Sequence, residues 1–386
     1  MKLLIIGGSG LLSGAVVNEA LKHGIEVTVV NRGQRQCNYK DGVHFIKADY
    51  RNEALMKSQL EGLYFDAVID FICFDKLQLE YSVNLLHSYA KQYIFISTSC
   101  VYNTTISGVK DENAEKVLNG WDYSINKWEC ECLLEKKAKE LGFNYTIIRP
   151  CITYDDSRIP YGIMPPYGYH WTLVARMLAE KPIIRWDGGT TRWNMMRVED
   201  FAVGVVGILG NEKAYNEAFN VSGDKAYEWN DVLKVVAKEI GKEPIIVDMP
   251  SCDYQRSYPA RAGEIVGRSL DSVVSNEKIK KMVPSFHQTI SLEKGIRMTL
   301  NAYKMQNYQY GIDWNFDAVN DRIIRKYCKR NGIDAKNFNL HFIDYLGTAT
   351  QEDRRTYWLE MNKETISVRI LQIGQRCLSK IKQFLG

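Results

Sequence analysis

No Cys-x-x-Cys pair occurs in this chain, and no low-complexity tract or internal repeat breaks it. Its nine cysteines are odd in number and scattered, and Cys130 and Cys132 stand too close for an ordinary zinc knuckle. That spacing speaks against a disulfide framework and a metal site, and for reduced thiols in a cytoplasmic protein. A strong excess of either charge is also lacking. A net charge of +4 over 386 residues gives no reason to expect a nucleic-acid partner. The opening run Met1-Lys2-Leu3-Leu4-Ile5-Ile6 is too short for a leader or a membrane span and reads as a first buried strand.

What is present is a globular composition, 45% hydrophobic and 25% charged, in a chain long enough for one large or two ordinary domains. Leu3 to Ile6 is a strand. Gly7-Gly8-Ser9-Gly10-Leu11-Leu12-Ser13-Gly14 is a glycine-rich turn, Ala15 to His23 a helix, and Ile25 to Val30 a second strand. In that setting, glycines let the backbone approach a pyrophosphate seated on the amides of a helix N-terminus. The plain alternative is a tight turn with no ligand. Asn31 ends the second strand, where a carboxylate would hold the 2′-hydroxyl of NAD, and Arg32 follows it. An arginine there accommodates a 2′-phosphate, so the cofactor is NAD or NADP with a lean to NADP, unless Arg32 is merely solvated.

Val43 to Lys47 is the third strand, and Asp49 with Tyr50 follows it, placed to reach an adenine unless Asp49 only caps the next helix. Ala67 to Ile72 is the fourth strand and brings Phe71 to the same crevice. A helix over Leu77 to Ala90 leads to a strand over Tyr93 to Ile96, which runs into Ser97-Thr98-Ser99-Cys100-Val101-Tyr102. Tyr123 lies 25 residues after Thr98, and among 23 tyrosines it alone has a lysine, Lys127, four residues on. On a helix the two share one face. An ammonium beside a phenol lowers its pKa from about 10 towards neutrality and makes it a general acid/base for alcohol and carbonyl interconversion. A strand over Asn144 to Ile148 then ends in Arg149-Pro150.

Together these motifs resemble the extended short-chain dehydrogenase/reductase superfamily, in its NAD-dependent nucleotide-sugar epimerase/dehydratase branch. Val198-Glu199-Asp200-Phe201-Ala202, Phe219-Asn220-Val221-Ser222-Gly223 and Asn276-Glu277-Lys278-Ile279-Lys280 extend the likeness, which covers about residues 1 to 303. The resemblance implies an α/β fold, a Rossmann-type doubly wound parallel sheet, with a smaller C-terminal substrate-binding domain and a helical C-terminal extension. The divisions expected are 1–153 for the cofactor, with elements near 198–223 returning to it, 154–303 for the substrate and 304–386 for the extension. It also implies a nucleotide-sugar substrate and a homodimer. By the same resemblance Thr98 and Tyr123 are catalytic, and Lys127 binds the nicotinamide ribose and lowers the tyrosine pKa. Gly7, Gly8, Ser9, Gly10, Leu11 and Leu12 hold the pyrophosphate. The third family glycine is Ser13 here, which alters the phosphate turn without removing its donors.

Ser99 and Cys100 stand where sugar 4,6-dehydratases carry Asp-Glu, which disfavours dehydration and leaves the pair as substrate contacts. Arg192, one place from the slot of the family's diphosphate arginine, and Arg261 and Arg268 are further substrate candidates, each of which would otherwise be a solvated arginine. Tyr154 to His170 is a loop rich in Pro, Gly and Tyr with aromatics able to stack on a base or sugar. Beyond it, Asp317 to Arg330 reads as a charged helix and Thr350 with Asp353 as the cap of a last long helix, whose end carries an apolar stripe. The stripe Ile370, Ile373, Cys377, Leu378, Ile381 and Leu385 reads as a helix docked on the body or on a second subunit, or as a basic amphipathic helix on a membrane surface. The function expected is a C4 epimerase acting through a keto-sugar, with an NAD(P)H-dependent sugar reductase as the alternative. A third reading comes from the Val29-Val30-Asn31-Arg32-Gly33 turn, which is similar to that of the chloroplast stem-loop RNA-binding type. Such relatives keep the fold as binding proteins.

Overall fold

The computed structural model describes residues 1–35, 42–116, 120–165, 169–306 and 311–365. Its centre is a parallel sheet of seven strands: β1 (Lys2–Ile6), β2 (Glu26–Asn31), β3 (Val43–Lys47), β4 (Phe65–Asp70), β5 (Ala90–Ile96), β6 (Asn144–Pro150) and, much later in the chain, β10 (Glu217–Val221). Their order across the sheet is β10-β6-β5-β4-β1-β2-β3. The direction of winding reverses between β1 and β4, and ligands of such sheets bind at the carboxyl ends of the strands at that reversal. The period-two geometry of a strand explains the two cores. Leu3 and Ile5 face one layer, with Val16 and Val17 of α1 (Leu11–Lys22) and later Phe201 and Val205. Leu4 and Ile6 face the other, with residues of α2 (Glu53–Leu60), α3 (Lys76–Leu86) and α4 (Asp122–Leu141).

Several expected boundaries move, among them the fourth strand, which ends at Asp70 rather than Ile72 and leaves Phe71 just beyond it. The first helix begins at Leu11 rather than Ala15, because Ser13 Oγ accepts the amide of Gly10 at 2.9 Å and closes a cap immediately after the glycines. The helix expected over Leu77 to Ala90 stops at Leu86. His87 to Tyr89 tighten into a 3₁₀ turn, and the ring N–H of His87 donates to the Val83 carbonyl at 2.9 Å. The fifth strand then starts at Ala90.

After β6, a short strand β7 (Ile152–Tyr154) leads into the loop and α5 (Trp171–Leu178), then β8 (Ile183–Trp186) and β9 (Arg192–Arg197). The chain returns to the main sheet through α6 (Val198–Gly207) and β10. It leaves again as β11 (Ala226–Glu228), α7 (Trp229–Ile240), β12 (Ile246–Met249), α8 (Ser251–Ser257), α9 (Ala262–Gly267), α10 (Glu277–Met282) and α11 (Leu292–Met305). Two small sheets, β11-β9-β7 and β12-β8, share one apolar cluster with most of these helices.

The described part of the extension, α12 (Trp314–Asn331) and α13 (Gln351–Met361), belongs to that same cluster through Trp314, Phe316, Val319, Ile323 and Tyr357. Arg325, Lys326, Lys329 and Arg330 of α12 are exposed, but its acids are not. Asp317 and Asp321 are fully buried against Arg176 and Lys181. Arg176 meets Asp317 at 2.6 Å and Asp321 at 2.9 Å, and Lys181 meets Asp321 at 2.6 Å. Tyr357 donates to Asp321 at 2.5 Å and so ties α13 to the same centre. Thr350 caps α13 as expected, accepting the amide of Asp353, but the helix ends at Met361 and is not the long one expected. The amphipathic stripe from Ile370 onward lies outside the described residues. Among those described, no helix is long and apolar enough to cross a membrane.

Candidate active site

The site builds from the carboxyl ends of β1, β4 and β5. Gly7 and Gly8 adopt φ of +110° and +72°, a region closed to most side chains. A Cβ on Gly7 would come within 3.0 Å of Ile72 Cγ2 and 3.5 Å of Phe71 Cβ, so glycine there keeps open a floor between β1 and β4. The first amides of α1, from Leu11 onward, have no partner within their helix. Ser13 changes this turn more than its place in the motif suggested. Its hydroxyl engages both the amide and, at 3.2 Å, the carbonyl of Gly10, so one donor is already used internally. The remaining first-turn amides at a positive helix end, behind glycines that leave room, fit a pyrophosphate.

On the adenosine side, Asn31 Oδ1 accepts the amide of Gly33 at 2.7 Å and pins the turn that carries exposed Arg32. Asp49 is not the cap of α2. Asn52 is, accepting the amide of Leu55, while Asp49 accepts that of Arg51 at 3.1 Å and stays exposed. Tyr50 is a core residue, its ring edge-on to Tyr81 at 5.7 Å, and burial pushes its phenol up to about 12.

On the catalytic side, α4 begins at Asp122 and puts Tyr123 and Lys127 one turn apart. Lys127 is buried, and its ammonium donates to the carbonyls of Cys73 at 2.6 Å and Ile96 at 2.8 Å, with the rings of Phe74 and Phe95 at 4.7 and 4.9 Å. Burial lowers its pKa. These bonds place the lysine at the ends of β4 and β5. Thr98 is buried at the mouth of β5, and its Oγ1 accepts the amide of Cys100 at 3.2 Å, which leaves its own O–H to point elsewhere. Ser99 is buried and Cys100 half-buried against the apolar cluster of the two small sheets, and burial raises the Cys100 thiol.

A buried charge network that the sequence reading missed holds this arrangement. Glu131, four residues beyond Lys127, takes Arg149 at 3.0 and 2.6 Å and Ser97 Oγ at 2.5 Å. Arg149 also donates to Tyr102, which donates to Asn220 on β10 at 2.6 Å. Three strand ends and α4 are thereby locked together. A second pass of the same i, i+4 spacing that singled out Lys127 would have found Glu131.

The three arginines part company. Arg192 is exposed and forks onto Asp271 at 2.9 and 2.7 Å. The neighbouring Trp193, in the slot of the family's arginine, is buried and stacked on Trp229. Arg261 is held by Glu264 at 2.6 Å and by the Met164 carbonyl at 3.0 Å. Of the three, only Arg268 reaches towards the start of α4. It donates to the Gly162 carbonyl at 3.0 Å and lies 5.9 Å over Trp121, whose ring is 5.3 Å from that of Tyr123. Its charge acts on Cys100, as does that of Arg158, a cation that the sequence reading did not single out.

The pattern that defines the NAD dependent epimerase/dehydratase family matches residues 3–222. The chloroplast stem-loop binding protein of 41 kDa b from Arabidopsis thaliana is 28% identical over 260 residues, 64% of this chain and 65% of that protein. A 2'-dehydrokanamycin reductase from Streptomyces kanamyceticus is 20% identical over 65% of this chain and 70% of its own length. The chain thus spans just under two thirds of the first relative. The fold matches UDP-glucose 4-epimerase from Thermotoga maritima with a TM-score of 0.62 at 21% identity, covering 79% of this chain and 99% of that one. It matches UDP-glucuronic acid 4-epimerase from Bacillus cereus, solved with UDP-glucuronic acid and NAD, with a TM-score of 0.63 at 18% identity and the same coverage.

Proposed function

Because the chain belongs to the NAD dependent epimerase/dehydratase family, whose pattern it carries over more than half its length, we propose that it is a nucleotide-sugar epimerase acting at C4 through a keto-sugar. The observation that carries this reading is the placement of Lys127. Two backbone carbonyls fix its ammonium at the strand ends, with Tyr123 one turn away on α4. The glycine turn and the first amides of α1 would hold the pyrophosphate of NAD(P), and Lys127 the nicotinamide ribose. When bound, that cofactor takes up the hydride of the sugar carbon and returns it.

Tyr123, as phenolate, takes the proton of the sugar hydroxyl, and the nearby cation favours the ionised form. Thr98 uses its hydroxyl to donate to the same sugar oxygen, since its lone pair already serves the Cys100 amide. Arg268 faces the anionic part of the substrate. Tyr123→Phe is expected to lower interconversion of UDP-sugars about 10²-fold or more while dinucleotide binding survives. Turnover that persists in that variant removes Tyr123 from the mechanism.

A second reading, an NADPH-dependent keto-sugar reductase, is favoured by Arg32, and one relative is named a reductase. Mass analysis of nucleotide released on denaturation separates the two. Retained cofactor supports internal redox, and an empty site that takes up NADPH supports net reduction. A binding module of the stem-loop type would have no need of Thr98, Tyr123 and Lys127 together.

A further inference from the structure

A buried acid, Asp70, ends β4 and is the register partner of Phe95 on β5, whose ring lies 4.9 Å from the ammonium of Lys127. Asp70 Oδ1 accepts the amide of Ile72 at 2.8 Å, and Lys127 donates to the carbonyl of Cys73 at 2.6 Å. The two side chains therefore grip one strap, residues 71–73, from its two ends, and Phe71 and Ile72 of that strap face Gly7 across the floor of the crevice. The other oxygen of Asp70 accepts from Ser82 Oγ at 2.5 Å and from Tyr93 Oη at 3.3 Å. Burial pushes the Asp70 carboxyl up, but three donors and the Lys127 charge all favour its ionised form. A buried carboxylate is costly, and an amide or an alkyl group would pack there at less cost.

Lys127 has the complementary difficulty. Burial lowers its pKa, and its direct contacts are neutral carbonyls and rings. The groups that act on its charge are Cys73, Cys130, Asp70 and Glu131. Cys73 and Cys130 share a hydrogen bond, which with burial pushes the Cys73 thiol up. Glu131 is spent on Arg149 at 2.6 Å. Asp75, beyond the strap, caps α3 through the amide of Gln78. On the far side of Asp70, burial pushes the phenols of Tyr93 and Tyr50 up, so both stay neutral at ordinary pH. Of the groups acting on the ammonium, Asp70 is the one with a charge not already spent.

We infer that Asp70 is a positioning residue for the catalytic pair: a buried counter-charge that keeps Lys127 protonated, so that Lys127 can keep Tyr123 ionised. This rests on the reading of Tyr123 and Lys127 as the acid/base pair and deepens it. Asp70 acts through Lys127 and not on the substrate.

The test reads Tyr123 without any substrate: ultraviolet absorbance of the phenolate against pH in the intact protein, with Tyr123→Phe in the same background as the blank. In the wild type the midpoint is expected below the ordinary value of about 10. Asp70→Asn keeps an oxygen for the Ile72 amide and removes the charge. Lys127 should then lose its proton at lower pH, and the Tyr123 midpoint should rise by about one unit or more. Ser82→Ala takes one donor from the carboxylate and leaves the strap alone. It should move the midpoint the same way by less, and it carries the test should Asp70→Asn not fold. A midpoint that stays or falls shows that Lys127 holds its proton without Asp70. That result overturns the inference and leaves the Tyr123 mechanism standing. A wild-type midpoint at about 10 overturns the pair and the inference together.

Discussion

His170 shows how a single side chain can set a pH limit. It is buried, its Nδ1 accepts the amide of Ile159 at 3.0 Å, and burial pushes its pKa down from 6.5 to about 3, helped by Arg158. The folded state holds it neutral while the unfolded chain protonates below 6.5, so the unfolded state binds the extra proton. Its contribution is complete above pH 6.5 and is lost as pH falls towards 3, at up to about 1.4 kcal/mol per unit. Stability measured by urea titration should therefore fall from pH 7 to 4 more steeply in the wild type than in His170→Asn. Parallel profiles would deny the imidazole this role. Glu131 acts through its ion pair: with Arg149 left uncompensated, Glu131→Ala should cost about 3–5 kcal/mol, read from urea titration at pH 7. Residue-level legibility follows sequence distance. Lys127 was readable because its partner is one turn away on the same helix. The commitment of Arg192 to Asp271 was not, because those residues meet only after the chain has crossed 79 positions of folded structure.

At the level of elements, the start of α4 has a seat on α9. Gly263 and Gly267 lie four apart on α9, and Trp121, the residue preceding α4, packs into the space they leave. A Cβ on Gly263 would sit 2.8 Å from the Gly120 carbonyl, and one on Gly267 would overlap the Trp121 ring. Gly267→Ala should therefore displace Trp121 and, through it, the Tyr123 ring. Turnover is expected to fall by about tenfold or more with dinucleotide affinity unchanged, since small misplacements of a reacting group are costly. Unchanged turnover would show that Trp121 only fills space. The β-α-β opening was legible because parallel strands buried on both faces are continuous apolar runs. The short helices α8 and α9 were not, since six or seven residues carry too little periodicity to read.

For the whole molecule, the described part of the extension belongs to the core rather than being an appendage. Its sequence read only as a charged helix because the partners of Asp317 and Asp321, Arg176 and Lys181, come from more than a hundred residues earlier. Asp321→Ala leaves two buried cations with one carboxylate and should cost about 3–5 kcal/mol in chemical unfolding. A chain ended at residue 306 should lose cooperative melting, because Trp171, Arg176 and their neighbours would face water. A cooperative transition in that truncated chain would make the extension dispensable.

The position of β10 has a further consequence for how the protein is made. It forms the edge of the sheet beside β6, yet the ribosome delivers it only after residues 151–216 have emerged. Until then the flank of β6 is an open template of unpaired amides and carbonyls. The side chain of Asn220, which Tyr102 needs, is also missing. During synthesis, therefore, the nascent chain passes through a stage with six parallel strands and one sticky border. That border closes when β10 arrives, whereas the apolar cluster around the two small sheets must wait for α12, later still in the chain.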